Sequence, residues 1–182
     1  ITIAAPPSLL NTGDIVSNNL ILNLDAGNSQ SLMLADSATA ADAIWKDLSG
    51  RKTDALTGGV SAKTYDGKSC SAPKYYSSYG GFVQLNGSTD CFHTDDIGKS
   101  IDKSFTVEAW YRSDGAMSAG ASIFTQNIGS ASNIGIVLGG ANGLTDIRVG
   151  IYSSGGWYYS DAGFTPVVGA WNHIVGTFNG SA

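Results

Sequence analysis

The sequence predicts an all-β fold, an antiparallel two-sheet sandwich, on three observations. Strong helix formers are scarce: the chain has one glutamate, Glu108, and charged residues make up 14% of its 182 positions, well under the usual quarter or so. Glycine, at 24 residues, is roughly double its ordinary share and supplies turns. From Ala55 onward, short alternating segments are separated by Gly, Asn and Ser clusters, the spacing of a β-sandwich. An apolar fraction of 42% is enough for a sizeable core, and the length is that of one domain or one domain with an appendage.

Residues 1–18 read as an extended N-terminal arm, stiffened by Pro6-Pro7 and ending near the turn cluster Asn11-Thr12-Gly13-Asp14. The first strand is expected at Leu20-Ile21-Leu22-Asn23-Leu24, closed by Asp25-Ala26-Gly27-Asn28. The one segment with a helical reading runs from Ser37, as N-cap, to Asp47, and Ser49-Gly50 stops it. Phe82 to Leu85 is a strand ending in the turn dipeptide Asn86-Gly87. Between Ser104 and Arg112 the alternation places Phe105, Val107, Ala109 and Tyr111 on one face and Thr106, Glu108 and Trp110 on the other. Further strands are expected at 122–127, 133–138, 147–152, 157–160 and 171–178. Gly139 to Gly143 opens no helix and reads as a hairpin turn.

Composition excludes several function classes. A net charge of −5 with 10 Lys plus Arg lacks the basic footprint of a nucleic-acid binder or a polybasic membrane contact. No apolar run nears the roughly 20 residues that span a bilayer, so a soluble chain without membrane insertion is expected. The first residues carry no signal-peptide pattern, and a chain opening at Ile1 without an initiator Met says little about export. Cys70 and Cys91, 21 positions apart, match no zinc spacing. They either form a disulfide, closing a loop worth roughly 3 kcal/mol, or remain two buried thiols.

The segment order resembles a known family. Leu22 to Asn28, Trp45-Lys46-Asp47-Leu48-Ser49-Gly50 and Phe82 to Gly87 look like the start of a concanavalin A-like jelly roll of the laminin-G type. Ser104 to Trp110 and Trp171-Asn172-His173-Ile174-Val175-Gly176-Thr177-Phe178-Asn179-Gly180-Ser181 resemble that family's most recognisable strands. The resemblance covers residues 19–182 and departs in two places. The family continues with further strands, so this sandwich is expected to lack its last strands and to be completed by another polypeptide, another copy or a continuation. The family's Asp-rich turn is reduced to Asn86-Gly87-Ser88-Thr89-Asp90.

The same fold hosts glycosidases that need two carboxylates about 5–5.5 Å apart. Glu108 shares its strand face with Thr106 and Trp110 and no second carboxylate, so the chain is not expected to be an enzyme, and Glu108 is expected inside the sandwich accepting hydrogen bonds. No G-x-S-x-G is present. His93 and His173 lie on separate strands, His173 as a structural residue. Calcium is the one cofactor the resemblance implies, with Asn86, Asp90, Asp95 and Asp96 as candidate ligands beside the simpler reading of solvated turn residues. Two aromatic clusters, Tyr75, Tyr76 and Tyr79, and Trp157, Tyr158 and Tyr159, are candidates for binding carbohydrate or a protein partner. Domains resembling this one are frequent in bacteriophage fibre, tail and decoration proteins and in bacterial surface proteins. The resemblance therefore implies a non-catalytic, extracellular module on a virion or cell surface, with other subunits as partners. A secreted carbohydrate-binding module of an adhesin or enzyme is the alternative.

Overall fold

A computed structural model describes residues 19–40, 43–57, 64–65, 68–94, 104–115, 121–127, 135–140, 146–153, 156–160 and 163–180; the predicted arm lies outside them. The chain is all-β. Its described residues form several antiparallel sheets and no α-helix, and it divides into two units, Ile1–Ile97 and Gly98–Ala182.

In the first unit, β1 (Ile44–Trp45), β2 (Ala55–Thr57) and β7 (Phe92–His93) make one sheet in the order β1-β2-β7. β3 (Thr64–Tyr65) pairs with β4 (Lys68–Ser69), and β5 (Lys74–Tyr76) with β6 (Phe82–Gln84). Trp45 meets Phe92 edge-on at 4.9 Å between ring centroids. A short 3-10 turn, Ser78–Gly80, joins β5 to β6.

Two expectations fail here. Leu20 to Leu24 forms no strand ladder. Its backbone instead engages the segment around Asp47: the Asn23 N–H donates to Asp47 Oδ1 at 2.9 Å, the Leu48 N–H donates to the Asn23 carbonyl, and Ser49 Oγ donates to the Ile21 carbonyl. A carboxylate has taken the place of a strand carbonyl. The predicted helix from Ser37 to Asp47 is also absent from the described residues of that segment. Ser37 has φ of 60°, whereas an N-cap needs extended backbone. Beyond it the Ala40 N–H donates to the Pro73 carbonyl and the Tyr75 N–H to the Ala38 carbonyl. Cross-chain bonds win because eleven residues are marginal as a helix without packing.

The Asp25–Asn28 turn is fixed by local bonds and by close backbone packing. Asp25 Oδ1 accepts the Gly27 N–H, the Asp25 N–H donates to Ser31 Oγ, and Ser31 Oγ donates to the Lys46 carbonyl. A Cβ on Gly81, whose φ is 105°, would lie 2.5 Å from the Ala26 carbonyl oxygen, and one on Gly27 would overlap the Gly80 carbonyl oxygen. Only glycine lets these two turns touch.

The second unit is built from two sheets. β9 (Ser122–Asn127), β10 (Gly135–Gly140), β11 (Ile147–Ser153) and β12 (Gly156–Tyr159) form a four-stranded sheet in the order β12-β11-β10-β9. β10 and β11 pair antiparallel with Gly139 opposite Arg148 and Gly140 opposite Ile147. Of the hairpin turn read at Gly139 to Gly143, Gly139 and Gly140 thus lie within β10, and residues 141–143 are outside the described residues. β8 (Phe105–Arg112) and β13 (Trp171–Phe178) form a two-stranded sheet in continuous register over eight pairs. The sheets pack through Ile147 and Val149 of β11, Ile174 of β13 and Val107, Ala109 and Tyr111 of β8, with Ile123 of β9. Gly176 of β13 sits directly on Val149, where a Cβ would overlap the valine side chain. Period-2 alternation explains the burial: Asn172, Ile174 and Gly176 are buried, and His173, Val175 and Thr177 are exposed. Asn172 closes the preceding turn by donating to the Ala170 carbonyl at 2.9 Å.

Candidate functional site

The outer face of β8 and β13 carries the chain's only glutamate. Because Phe105, Val107, Ala109 and Tyr111 turn toward the core, Thr106, Glu108, Trp110 and Arg112 must turn away from it. Glu108 is therefore not buried as expected; its side chain is 66% exposed. The register sets His173 opposite Trp110, and the two rings stack at 4.7 Å with an interplanar angle of 16°. His173 Nε2 lies 3.8 Å from Glu108 Oε2, an exposed contact of the kind worth at most about 1 kcal/mol. Val175 stands opposite Glu108. The result is a solvent-facing patch of indole, imidazole, carboxylate and branched aliphatic side chains. Sequence reading missed it because alternation assigns faces within a strand, while only register brings Trp110 to His173.

The second feature is edge strand β12. Trp157 and Tyr159, two residues apart, lie on one face and stack at 5.9 Å and 13°. Tyr158 points to the opposite face, beside Ile151. Trp157 is 40% exposed and Tyr158 50%, so both sides of this edge present aromatic surface. Tyr159 stands opposite Gly150, which offers no side chain to cover it. Neighbouring Arg148 donates to Asp146 Oδ2 and to the Ser160 carbonyl, holding the strand's end against β11.

The tyrosine cluster of the first unit is less open. Tyr75 and Tyr76 are half-buried, and Tyr76 stacks on Phe82 at 5.2 Å. Tyr79 is the exposed member, held at φ of 57° in the turn after β5. The two aromatic clusters thus belong to different units.

Of the candidate calcium ligands, Asp95 and Asp96 lie outside the described residues. Asn86 Oδ1 accepts the backbone N–H groups of Ser88, Thr89 and Asp90, and Asp90 Oδ2 accepts that of Asn86. These oxygens are committed to holding the turn. Among the described residues no three His, Cys, Asp or Glu side chains gather closely enough to hold a metal ion. The loop is also tied covalently, since Cys70 and Cys91 form a disulfide with Cα atoms 5.1 Å apart. Flanking it, the Ser71 N–H donates to the Thr89 carbonyl and the Cys91 N–H to that of Ser71.

Three carboxylates are held below the usual carboxylate range. Burial pushes Asp47 up, but hydrogen bonds from Ser49, Asn23 and Thr53 together outweigh it. Asp54 is lowered by the Lys46 ammonium and the Asp47 N–H, and Asp36 by the backbone and side chain of Ser77. All three bind the chain to itself in the first unit.

Against known families, residues 86–182, a little over half of the chain, match the concanavalin A-like lectin/glucanases superfamily in its laminin-G type. The matched segment starts at the Asn86 turn and contains β8, β12 and β13, while the Leu22–Asn28 and Trp45–Gly50 motifs precede it. Comparison with curated proteins and with solved structures gives no match.

Proposed function

We propose that this chain, which belongs to the concanavalin A-like lectin/glucanases superfamily, is a non-catalytic binding or structural module of an extracellular assembly. The observation that carries the reading is the exposure of Trp157 and Tyr158 on the two faces of edge strand β12. Exposed rings on an ordered strand are recognition surface: they offer large, rigid contact area and lose little conformational entropy on binding. The setting of Glu108 supports the non-catalytic half. It projects into solvent from the middle of β8 with an imidazole beside it, whereas retaining hydrolysis of a glycoside requires a second carboxylate across the scissile bond.

The Cys70–Cys91 disulfide supports an oxidising, extracellular setting. On the resemblance of its motifs, the assembly is a virion (a fibre, tail or capsid decoration) or a cell surface, and the partners are other protein subunits. A lectin-like module that binds surface glycans is the second reading, favoured by the parallel stacking of Trp157 and Tyr159. Glycan-array binding of the chain, compared with Trp157→Ala, separates the two. Saturable binding lost in the variant selects the glycan reading; no binding, with ordered copies of the chain seen by electron microscopy on a native particle, selects the structural one. If neither is seen, the proposal fails.

A further inference from the structure

The turn between β6 and β7 is organised around one exposed side chain, that of Asn86. Its Oδ1 accepts the backbone N–H groups of Ser88 at 2.9 Å, Thr89 at 2.9 Å and Asp90 at 3.1 Å. Three donors converging on one oxygen form a nest that favours negative charge. The Asn86 Nδ2 donates to Thr89 Oγ1 at 3.0 Å, and the Asn86 N–H donates to Asp90 Oδ2 at 3.0 Å. The far end of the turn is held by the Cys70–Cys91 disulfide and by the bonds of Ser71 to Thr89 and Cys91. Folding therefore sets these donors in place before any reaction begins.

The next residue is Gly87, at φ of 71°. The ring closed by the hydrogen bond from Ser88 N–H to Asn86 Oδ1 runs through the Gly87 nitrogen. Glycine brings no side chain to obstruct the approach of that nitrogen to Asn86 Cγ. Among the described residues nothing accepts the Gly87 N–H, so attack by this nitrogen breaks no hydrogen bond. A backbone nitrogen that attacks the preceding side-chain amide closes a five-membered imide. The reaction passes through a tetrahedral intermediate with negative charge on the amide oxygen, and here that oxygen is Oδ1, inside the nest. Hydrogen bonds to an anionic oxygen are roughly twice as strong as those to a neutral one. The nest thus stabilises the intermediate more than the resting amide, which is the condition for acceleration.

We propose that Asn86-Gly87 is a self-modifying site, at which the folded turn accelerates conversion of Asn86 to aspartate or isoaspartate. The Gly87 nitrogen bonds to Asn86 Cγ and gives its proton to water. The Cγ–Nδ2 bond then breaks, and the nitrogen leaves as ammonia with a proton relayed from water through the Thr89 hydroxyl. Water adds to one of the two imide carbonyls and reopens the ring, so the net change consumes one water and releases one ammonia. Opening on the backbone side routes the chain through the former side chain as isoaspartate; opening on the other side gives aspartate. Either product adds a negative charge to an exposed turn. The inference is independent of what the module binds.

The test follows the Asn86 peptide by mass spectrometry during incubation of the disulfide-intact chain at neutral pH, with isoaspartate read by enzymatic methylation. The same chain reduced and unfolded in guanidinium chloride is the reference, and its Asn179-Gly180 dipeptide reports the intrinsic rate. One oxyanion donor in an enclosed site is worth roughly 100- to 1,000-fold; in this solvent-exposed turn the folded chain is expected to convert Asn86 at least about tenfold faster than the unfolded one. Thr89→Val, checked for an unchanged melting temperature, is expected to slow the folded rate and leave the unfolded rate as it is, whereas Thr89→Ser keeps the hydroxyl and the rate. A folded rate at or below the unfolded one overturns the inference, as does an acceleration that Thr89→Val leaves intact. If Thr89→Val does not fold, the ratio of folded to unfolded rates in wild type decides alone.

Discussion

Replacing Asp47 with alanine removes the carboxylate that holds the opening segment of the chain to the Trp45–Gly50 motif. Asp47 is 9% exposed, and its two oxygens accept from Asn23 N at 2.9 Å, Ser49 N at 2.8 Å, Thr53 N at 3.1 Å and Ser49 Oγ at 2.6 Å. Alanine leaves three backbone N–H groups without that acceptor. At the lower end of the cost of a stranded donor, about 1 kcal/mol each, the loss is at least about 3 kcal/mol. For a chain of this size that is a fall of roughly 6–12 °C in melting temperature. Asp47→Asn keeps one acceptor oxygen but sets an NH2 group against N–H donors, so its cost falls between wild type and alanine. Urea denaturation followed by tryptophan fluorescence reads both, because Trp45 lies two residues away. The same carboxyl sets a pH dependence. Its folded pKa is depressed, so its stabilisation is complete above the unfolded value of about 3.9 and is lost as pH falls through the folded value. Asp47→Ala should flatten that acid limb. An alanine variant within 1 kcal/mol of wild type would refute the clasp.

Further outcomes follow from the same geometry. Gly81→Ala should destabilise by more than about 2 kcal/mol, because it adds a backbone collision to a left-handed φ, whereas Gly50→Ala, at φ of 86° with nothing within 4 Å, should cost only about 1 kcal/mol; equal costs in urea melts would contradict the close approach of the two turns. Gly176→Ala should be strongly destabilising because its methyl overlaps Val149, and a thermal melt matching wild type would contradict the packing of β13 on β11. Mass spectrometry after alkylation of the native chain should find no free thiol, and Cys70→Ser/Cys91→Ser should lose roughly 3 kcal/mol; two alkylated cysteines in the native chain would contradict the disulfide.

Much of the second unit was legible because its strands are strictly alternating. In β8 and β13 the burial pattern follows the sequence position by position, and the expected bounds of β9 and β13 are the observed ones. The sequence also held the information that turns Glu108 outward. Phe105, Val107, Ala109 and Tyr111 form the more apolar of the two faces and claim the core, so a carboxylate on the other face has to meet solvent. The first unit was less legible because its partners are not periodic. Leu20 to Leu24 has the composition of a strand, but its backbone bonds go to an aspartate and a serine 24 to 28 residues away. The alanine-rich stretch after Ser37 has helical propensity and loses to pairing with residues 73–75. The cysteine spacing left bridge and free thiols equally open; the bonds between Ser71 and the Thr89–Cys91 segment bring the two together. Of the aromatic candidates, Trp157 and Tyr158 follow from alternation on an exposed edge, whereas the Trp110–His173 stack depends on a register between strands some 60 residues apart.

The central claim, a member of a lectin and glucanase superfamily that recognises without cleaving, is tested most directly by incubating the chain with a panel of β-glucans and measuring released reducing ends, with Glu108→Gln alongside. The account predicts no release above buffer from either protein. Reducing ends that accumulate with wild type and vanish with Glu108→Gln would contradict it.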